Sequence, residues 1–253
     1  MAKPLVAGLC SVTLRNQPIR AVVDAAARAG LEGIEWGTDV HLTADADALA
    51  VASLTCAFGL RALSLGSYYR LGDFGNFDAL LVRAALAGAP RIRVWAGRIG
   101  SAETTRAQRA LVVDDARRIS DRASCSGIDI ALEYHPDTLT DTTPSTISLL
   151  EDIDRANVRT YWQPPIGVPN QEAVDSFRDL GDMVSGVHCF SWWPETERLG
   201  LHDRQTLWEE IAASAIEQNL KLDFMLEFVS EDRIENVFRD ARTLTGILRA
   251  AQG

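Results

Sequence analysis

The amino-acid sequence predicts a single α/β domain, a closed (β/α)8 barrel that spans residues 1–253. Eight segments rich in Val, Ile, Leu and aromatic residues alternate strictly with eight longer segments rich in Ala, Leu, Arg and Asp, a pattern typical of strands followed by crossover helices. The chain has 253 residues, so each strand–helix unit averages about 32 residues, and about 250 residues is typical of such a barrel. No Pro-, Gly- or Ser-rich linker interrupts the series, which favours one domain.

The elements follow one another in order along the chain. The predicted strands cover residues 5–14, 33–37, 61–69, 91–97, 129–135, 158–163, 184–190 and 222–229. The predicted helices lie near residues 18–29, 45–58, 76–87, 103–125, 143–156, 171–181, 206–218 and 232–250. Pro18 and Pro144 lie at the starts of the first and fifth helices, and Gly30 and Gly127 follow the ends of the first and fourth, as is typical of helix ends.

A doubly wound open sheet is the alternative architecture. Such sheets usually have fewer strand–helix units, and the variant that binds dinucleotides has a GxGxxG turn after its first strand. This chain has Ser11-Val12-Thr13-Leu14-Arg15 at that place. The sequence therefore favours the closed barrel.

Composition excludes several classes of function. With 25 basic and 35 acidic side chains the net charge is −10, which disfavours a nucleic acid as partner, because phosphate binding requires Lys and Arg. The four cysteines form no CxxC pair, so neither a structural zinc site nor a redox motif is predicted. No apolar run is long enough for a signal peptide or a membrane span. We expect a cytoplasmic protein with a small-molecule substrate and no membrane partner; a homo-oligomer is compatible with the sequence.

Histidines and tryptophans cluster where the predicted strands end, which is the end of the barrel that carries active sites. All four histidines and five of the six tryptophans lie there, and Trp208 alone falls within a predicted helix. The residues at strand ends are His41, His135, His188, His202, Trp36, Trp95, Trp162, Trp192 and Trp193. Side chains used only for packing would also populate helices and strand starts, so the clustering indicates a functional site.

Three glutamates lie within apolar strand segments: Glu35, Glu133 and Glu227. A buried carboxylate is costly unless it is paired, hydrogen-bonded or bound to a metal. Arg93 on the fourth strand is a fair ionic partner for Glu35. Glu133 and Glu227 have no basic residue in their own strand segments, so we expect them to have another role.

Four potential metal ligands occur about one strand–helix unit apart. Glu133, Gln163, His188 and Glu227 are separated by steps of 30, 25 and 39 residues, which places them on the last four strands at similar height. Two carboxylates, an amide and an imidazole suit Mn²⁺, Mg²⁺, Co²⁺ or Zn²⁺. His135 shares a strand face with Glu133 and would lie just above the ion. Each residue taken singly also has a structural interpretation: His188 as a hydrogen-bonded histidine of the core, and Gln163 as a residue that caps the end of its strand.

At these residues the chain resembles the sugar phosphate isomerase/epimerase superfamily, the xylose isomerase-like TIM barrels, over essentially its whole length. The matching segments are Gly33-Ile34-Glu35-Trp36-Gly37 with Asp39-Val40-His41, Leu132-Glu133-Tyr134-His135-Pro136 with Thr138-Leu139-Thr140-Asp141-Thr142, Tyr161-Trp162-Gln163-Pro164, Val187-His188 and Leu226-Glu227. The resemblance implies one divalent metal ion, Mn²⁺ being the first expectation, bound by Glu133, Gln163, His188 and Glu227. Gln163 stands where the family usually has Asp, which removes one negative charge and should weaken metal binding.

The resemblance also implies an activity in carbohydrate metabolism. The family's isomerases and epimerases transfer a proton on a sugar or keto-sugar through a metal-stabilised enediolate. On this basis Glu133 and Glu227 are expected to be catalytic as well as ligands, with His135 touching the substrate. The expected substrate-binding residues are Glu35, Trp36, His41, Trp162, Trp192, Arg15 and Arg98.

Three other functions fit parts of the pattern. A metal-dependent lyase or dehydratase, which eliminates a β-leaving group from a keto-sugar, keto-glycoside or cyclic polyol, would use the same residues. A three-zinc DNA-repair endonuclease of the same barrel class needs more metal ligands and less negative charge. A sugar-binding barrel without catalysis would not need Glu133 and Glu227. No Gly-rich phosphate loop follows the seventh or eighth strand, so phosphorylation of the substrate stays open.

Overall fold

The computed structural model describes residues 4–253 and contains a closed barrel of eight parallel strands. The strands are β1 (Leu5–Cys10), β2 (Gly33–Gly37), β3 (Arg61–Arg70), β4 (Arg91–Trp95), β5 (Asp129–Leu132), β6 (Val158–Trp162), β7 (Val184–Cys189) and β8 (Leu222–Leu226). Around the barrel the order is β1-β8-β7-β6-β5-β4-β3-β2. The predicted (β/α)8 barrel is confirmed. Residues 1–3 of the predicted domain lie outside the described residues.

Eight helices connect the strands and cover the outside of the barrel. They are α1 (Ile19–Arg28), α2 (Asp45–Ala57), α3 (Asp78–Ala87), α4 (Arg106–Ser124), α5 (Thr143–Ile153), α6 (Asn170–Leu180), α7 (Gln205–Glu217) and α8 (Ile234–Gln252). Pro18 is the N-cap of α1, and Thr142 caps α5 by accepting a hydrogen bond from the Ser145 N–H, which satisfies one free donor of that helix end. Within residues 4–253 no helix combines the length and the apolarity that crossing a bilayer requires.

Strand residues alternate between two apolar layers because successive side chains point to opposite faces of a strand. Ile34, Leu132 and Leu226 face the helices and belong to the large outer core. Ala131, Tyr161, Met225 and their neighbours fill the barrel interior. The interior cluster occupies the lower part of the barrel, so polar side chains that follow these residues by two positions lie above it, on the inner face.

The floor of the barrel is closed by the buried side chain of Arg91 at the start of β4. Its Nε donates to Tyr161 Oη at 2.9 Å, its Nη1 donates to the Ser185 carbonyl at 2.7 Å, and its Nη2 pairs with Asp223. Burial opposes the charge, but Tyr161 and Asp223 raise the pKa of Arg91 above its usual value. One guanidinium thus ties β4 to β6, β7 and β8.

Several strands end earlier than the sequence predicts. β1 stops at Cys10, and Ser11–Leu14 form a 3₁₀ turn. The Ser11 hydroxyl accepts a hydrogen bond from the Gly37 N–H at 2.9 Å, which links this turn to β2. β5, β6 and β8 each end one residue before Glu133, Gln163 or Glu227. These three residues are therefore the first of the loops at the C-terminal end of the barrel.

We predict that Arg91→Met lowers the free energy of unfolding by about 3–5 kcal/mol, because Asp223 is left partly buried without its partner. The matched control is Arg122→Met, which removes a pair with Asp78 whose side chains are 49% and 57% exposed; it should cost less than about 1 kcal/mol. Urea denaturation followed by circular dichroism measures both. Equal losses would show that Arg91 does not hold the barrel floor together.

Candidate metal centre

Three side chains, one each from the C-terminal ends of β5, β6 and β8, meet at Nδ1 of His188, which lies on β7 between β6 and β8. Gln163 Oε1 and Glu227 Oε2 each lie 3.2 Å from it, and Glu133 Oε1 lies 3.8 Å away. His188 is completely buried in β7, and the other three are at most 8% exposed. The structure thus brings together all four residues that the sequence suggests as metal ligands.

The donor set suits a divalent cation. Two carboxylates, an amide oxygen and an imidazole contain no thiolate, a combination that fits Mn²⁺, Mg²⁺, Co²⁺ or Zn²⁺. Ligand atoms of Glu133, His188 and Glu227 lie within 4.8 Å of one another. Burial opposes the positive charge, yet Glu227 and Glu35 hold the pKa of His188 well above its usual value. The carboxylates therefore demand a positive charge at this point, which either a proton or a metal ion can supply.

Glu35 holds the opposite edge of the His188 ring. Its Oε1 lies 3.2 Å from Nε2, and its other carboxylate oxygen accepts a hydrogen bond from Ser64. Burial would raise the pKa of Glu35, but His188 and Arg93 lower it well below the usual range. An ionised Glu35 that accepts from Nε2–H leaves the lone pair of Nδ1 directed at the ligand cluster, which is the arrangement of a carboxylate–histidine–metal site.

The structure places Glu35, predicted to bind substrate, behind His188 and not at the open end of the barrel. Its side chain is 2% exposed, and its carboxylate faces His188 Nε2. The sequence indicated that Glu35 was buried and charged, but the pairing with His188 crosses the barrel and leaves no signal in the spacing of residues.

Arg93 joins Glu35 to Glu133. Its Nη1 pairs with Glu133 Oε2, and its Nε lies 3.4 Å from Glu35 Oε1. The pairing with Glu35 is present, whereas the expectation that Glu133 lacks a basic partner is wrong. The partner comes from the neighbouring strand, where Arg93 is in register with Ala131, two residues before Glu133. Among residues 4–253, Glu227 pairs with His188 and with no arginine.

Buried threonines form hydrogen bonds to the backbone at the two ligand glutamates. The Thr13 hydroxyl donates to the Leu226 carbonyl at 3.3 Å and accepts from the Phe228 N–H at 3.1 Å, so it brackets Glu227. Phe228 has a φ of 50°, a left-handed conformation that strains a bulky residue. The Thr140 hydroxyl donates to the Glu133 carbonyl. Sequence reasoning missed both threonines, because their role depends on contacts between loops.

His135 lies at the open end of the barrel and is half-buried. Its Nδ1 lies 2.7 Å from the Pro136 carbonyl, which leaves Nε2 as the ring nitrogen free to meet a substrate. The ring packs 4.2 Å from Trp95, and Arg70 and Tyr68 approach the same indole at 4.0 and 6.0 Å. Sequence reasoning counted Trp95 among the aromatic residues at strand ends but assigned no role to Trp95, Arg70 or Tyr68.

Three further residues predicted to bind substrate lie away from the ligand cluster: Trp36, Trp162 and His41. Trp36 and Trp162 are fully buried and face the helices, because each is adjacent in sequence to a residue that faces inward. Trp162 donates its Nε1–H to Ser176. Both ring nitrogens of His41 are occupied, Nδ1 by the Ser11 hydroxyl at 3.0 Å and Nε2 by the Gln17 carbonyl at 2.9 Å.

The remaining three lie at the rim. Arg15 is exposed and lies 3.5 Å from Asp39, and Arg98 is 62% exposed and pairs with Asp73 at 2.6 Å. The structure therefore does not bring either arginine to the ligand cluster. Trp192 is half-buried and packs 5.6 Å from Phe228, the residue after Glu227. It is the one tryptophan of the predicted set that lies beside the site.

The chain belongs to the xylose isomerase-like TIM barrel family, whose model matches residues 23–204. It is 29% identical to a 3-dehydroshikimate dehydratase of Bacillus anthracis over 199 residues, which cover 71% of this chain and 69% of that protein. The family and this relative, a lyase, support an enzyme family. An epimerase of known structure shares the fold.

Solved structures share the same fold at lower identity. The probable 3-DHS dehydratase of Bacillus anthracis superimposes with a TM-score of 0.79 at 21% identity, over 95% of this chain and 98% of that one. A xylose isomerase-like protein from Mycobacterium smegmatis, in complex with magnesium, has a TM-score of 0.77 at 13% identity over all of both chains. D-psicose 3-epimerase with D-fructose has a TM-score of 0.73 at 16% identity, over 98% of this chain and 99% of that one.

We predict that Glu35→Gln weakens Mn²⁺ binding by about 10- to 100-fold, because the amide is a poorer acceptor for His188 Nε2–H and no longer orients the ring. Calorimetric titration of the metal-free protein with Mn²⁺ measures this. Asp39→Asn removes an exposed carboxylate at the same end of the barrel and should leave affinity unchanged. Unaltered affinity in Glu35→Gln would disprove a role for Glu35 in holding His188.

Proposed function

We propose that the protein is a divalent-metal-dependent lyase that removes water from a cyclic β-hydroxy ketone bearing a carboxylate, a substrate of the dehydroshikimate type. Sequence reasoning placed the isomerase or epimerase first and the lyase second. Two considerations reverse that order: the unequal environments of Glu133 and Glu227, and the 29% identity to a dehydratase over 71% of the chain.

In this proposal Glu133, Gln163, His188 and Glu227 would hold the ion. The buried charges support this assignment, because Glu35, Glu133 and Glu227 exceed Arg93 by two negative charges when His188 is neutral. A divalent ion at that point neutralises the cluster and supplies a Lewis acid that stabilises negative charge on a substrate carbonyl oxygen. Mn²⁺ remains the first choice of metal, on the strength of the resemblance.

The observation that carries the choice of reaction is the ion pair between Arg93 and Glu133. The guanidinium occupies Glu133 Oε2 with a direct hydrogen bond, so that oxygen is not free to take a proton from a substrate. Glu227 has no such partner within residues 4–253, so Glu227 is the base. Epimerisation by two carboxylates requires each of them to take and return a proton, whereas elimination requires only one base and a separate acid.

His135 is the acid. Its Nδ1 lies 2.7 Å from the Pro136 carbonyl, which leaves Nε2 as the nitrogen for the substrate. Glu227 takes the proton from the carbon next to the ketone, and the electron pair forms the new C=C bond as the β C–O bond breaks. The departing hydroxyl takes a proton from His135 and leaves as water. Trp192, packed near Phe228, forms an apolar wall beside the base.

An epimerase acting on a keto-sugar is the second candidate. Its support is that Glu133 and Glu227 approach the same atom, His188 Nδ1, from different strands, so the two carboxylates could flank one carbon. D-psicose 3-epimerase, which is 16% identical to this chain, has the same fold. For this candidate Arg93 would have to release Glu133 during the reaction.

The test incubates the Mn²⁺-loaded protein with 3-dehydroshikimate and, separately, with D-fructose, and follows product mass. We expect loss of one water from the first and no reaction of the second. An isomer of D-fructose, unchanged in mass when formed in H₂O and labelled with deuterium when formed in D₂O, would favour the epimerase and overturn the lyase.

We predict that Glu227→Gln lowers the dehydration rate by about 10²–10⁴-fold, because the proton acceptor is lost. The assay uses saturating Mn²⁺ with bound metal measured in each sample, since Glu227 is also a proposed ligand. Glu235→Gln, an exposed position on α8, is the control and should match the wild type. Substrate deuterium exchange that persists in Glu227→Gln with metal bound would remove Glu227 as the base.

A further inference from the structure

Arg70 differs from the other arginines at the open end of the barrel. Four of the others pair with a carboxylate: Arg15 with Asp39, Arg93 with Glu133 and Glu35, Arg98 with Asp73, and Arg198 with Asp232. Arg204, in the loop after β7, has no carboxylate partner among residues 4–253 either, but its guanidinium donates to the Asn170 side chain and to the Val168 and Trp192 carbonyls. Arg70, the last residue of β3, makes no ion pair with any carboxylate in the described range 4–253. Its guanidinium is therefore a cation at the open end of the barrel without an anionic partner.

The side chain is held in one position. Its guanidinium carbon lies 4.0 Å from the centre of the Trp95 ring, and Nη1 donates to the Gly97 carbonyl at 3.0 Å. This is its one hydrogen bond among the described residues, so its other N–H groups stay available. Half-burial and the nearby charge of Arg98 lower the pKa of Arg70, although the charges of Asp73 and Glu133 act in the opposite direction, so an added anion would relieve an unfavourable environment.

Arg70 lies close to the proposed reaction centre. The Trp95 ring, on which the Arg70 guanidinium stacks, also lies 4.2 Å from the His135 ring. The charge of Glu133 acts on Arg70 as well. The chain as a whole has a net charge of −10, which repels an anionic substrate. Binding an anion at this end of the barrel therefore requires a local cation that no carboxylate of the protein already neutralises.

Resting on the proposed function, we propose that Arg70 binds the carboxylate of the substrate, while the reacting carbons lie between Glu227 and His135. A guanidinium offers N–H groups in a planar fork that matches a carboxylate, and stacking on Trp95 fixes that fork before the ligand arrives. A neutral keto-sugar offers only hydroxyls at this position. Arg70 therefore selects for acids over neutral sugars.

The test compares two ligands that differ only in charge, shikimate and its methyl ester, titrated calorimetrically into the Mn²⁺-loaded protein. We expect the wild type to bind shikimate about 10- to 100-fold more tightly than the ester, the range of a charge-assisted hydrogen bond. Arg70→Met should bind the two ligands equally and should keep the wild-type affinity for the ester. Arg70→Lys should retain part of the preference.

Arg109→Met, which breaks a pair with Asp152 between α4 and α5, is the matched control and should behave as the wild type. Arg70→Gln replaces Arg70→Met if that variant does not fold. A preference for shikimate that survives in Arg70→Met or Arg70→Gln overturns the role of Arg70 and leaves the lyase untouched. A wild type without any preference also overturns the role of Arg70, while product mass from 3-dehydroshikimate separately decides the lyase.

Discussion

The burial of three carboxylates around one histidine is the constraint on which the site depends. Glu35, Glu133 and Glu227 are each at most 4% exposed, and burying an ionised carboxylate is costly unless positive charge compensates it. Arg93 supplies one positive charge. The cluster then needs two more, and a divalent ion supplies both while His188 stays neutral. A site built only for stability would have no reason to gather this excess of negative charge.

The barrel creates this cluster through the period of its strands. Ala131, Tyr161 and Met225 face the interior, so the residues two positions later, Glu133, Gln163 and Glu227, face inward above them. Each comes just after its strand ends, where the backbone can turn the side chain towards His188. Arg91 closes the barrel floor below, and Thr13 and Thr140 hold the loops above.

The sequence alone predicts the barrel and the convergence of the four candidate ligands, because both follow from regular repetition along the chain. It could not predict that Arg93 pairs with Glu133, since that contact depends on the register between β4 and β5. Trp36 and Trp162 were assigned to the substrate although strand alternation directs them outward. Arg70 was missed because the pairing of β3 with β4 is irregular near its end, where alternation no longer indicates the direction of side chains.

The most direct test of the metal site is a crystal structure of the protein grown with Zn²⁺ or Co²⁺, with the ion located by anomalous scattering. The account predicts one ion about 2.0–2.2 Å from His188 Nδ1 and from carboxylate oxygens of Glu133 and Glu227, with Gln163 Oε1 as the fourth protein ligand and Glu35 still bonded to Nε2. An ion bound elsewhere, or a crystal grown with the metal that shows no ion at His188 Nδ1, would contradict it.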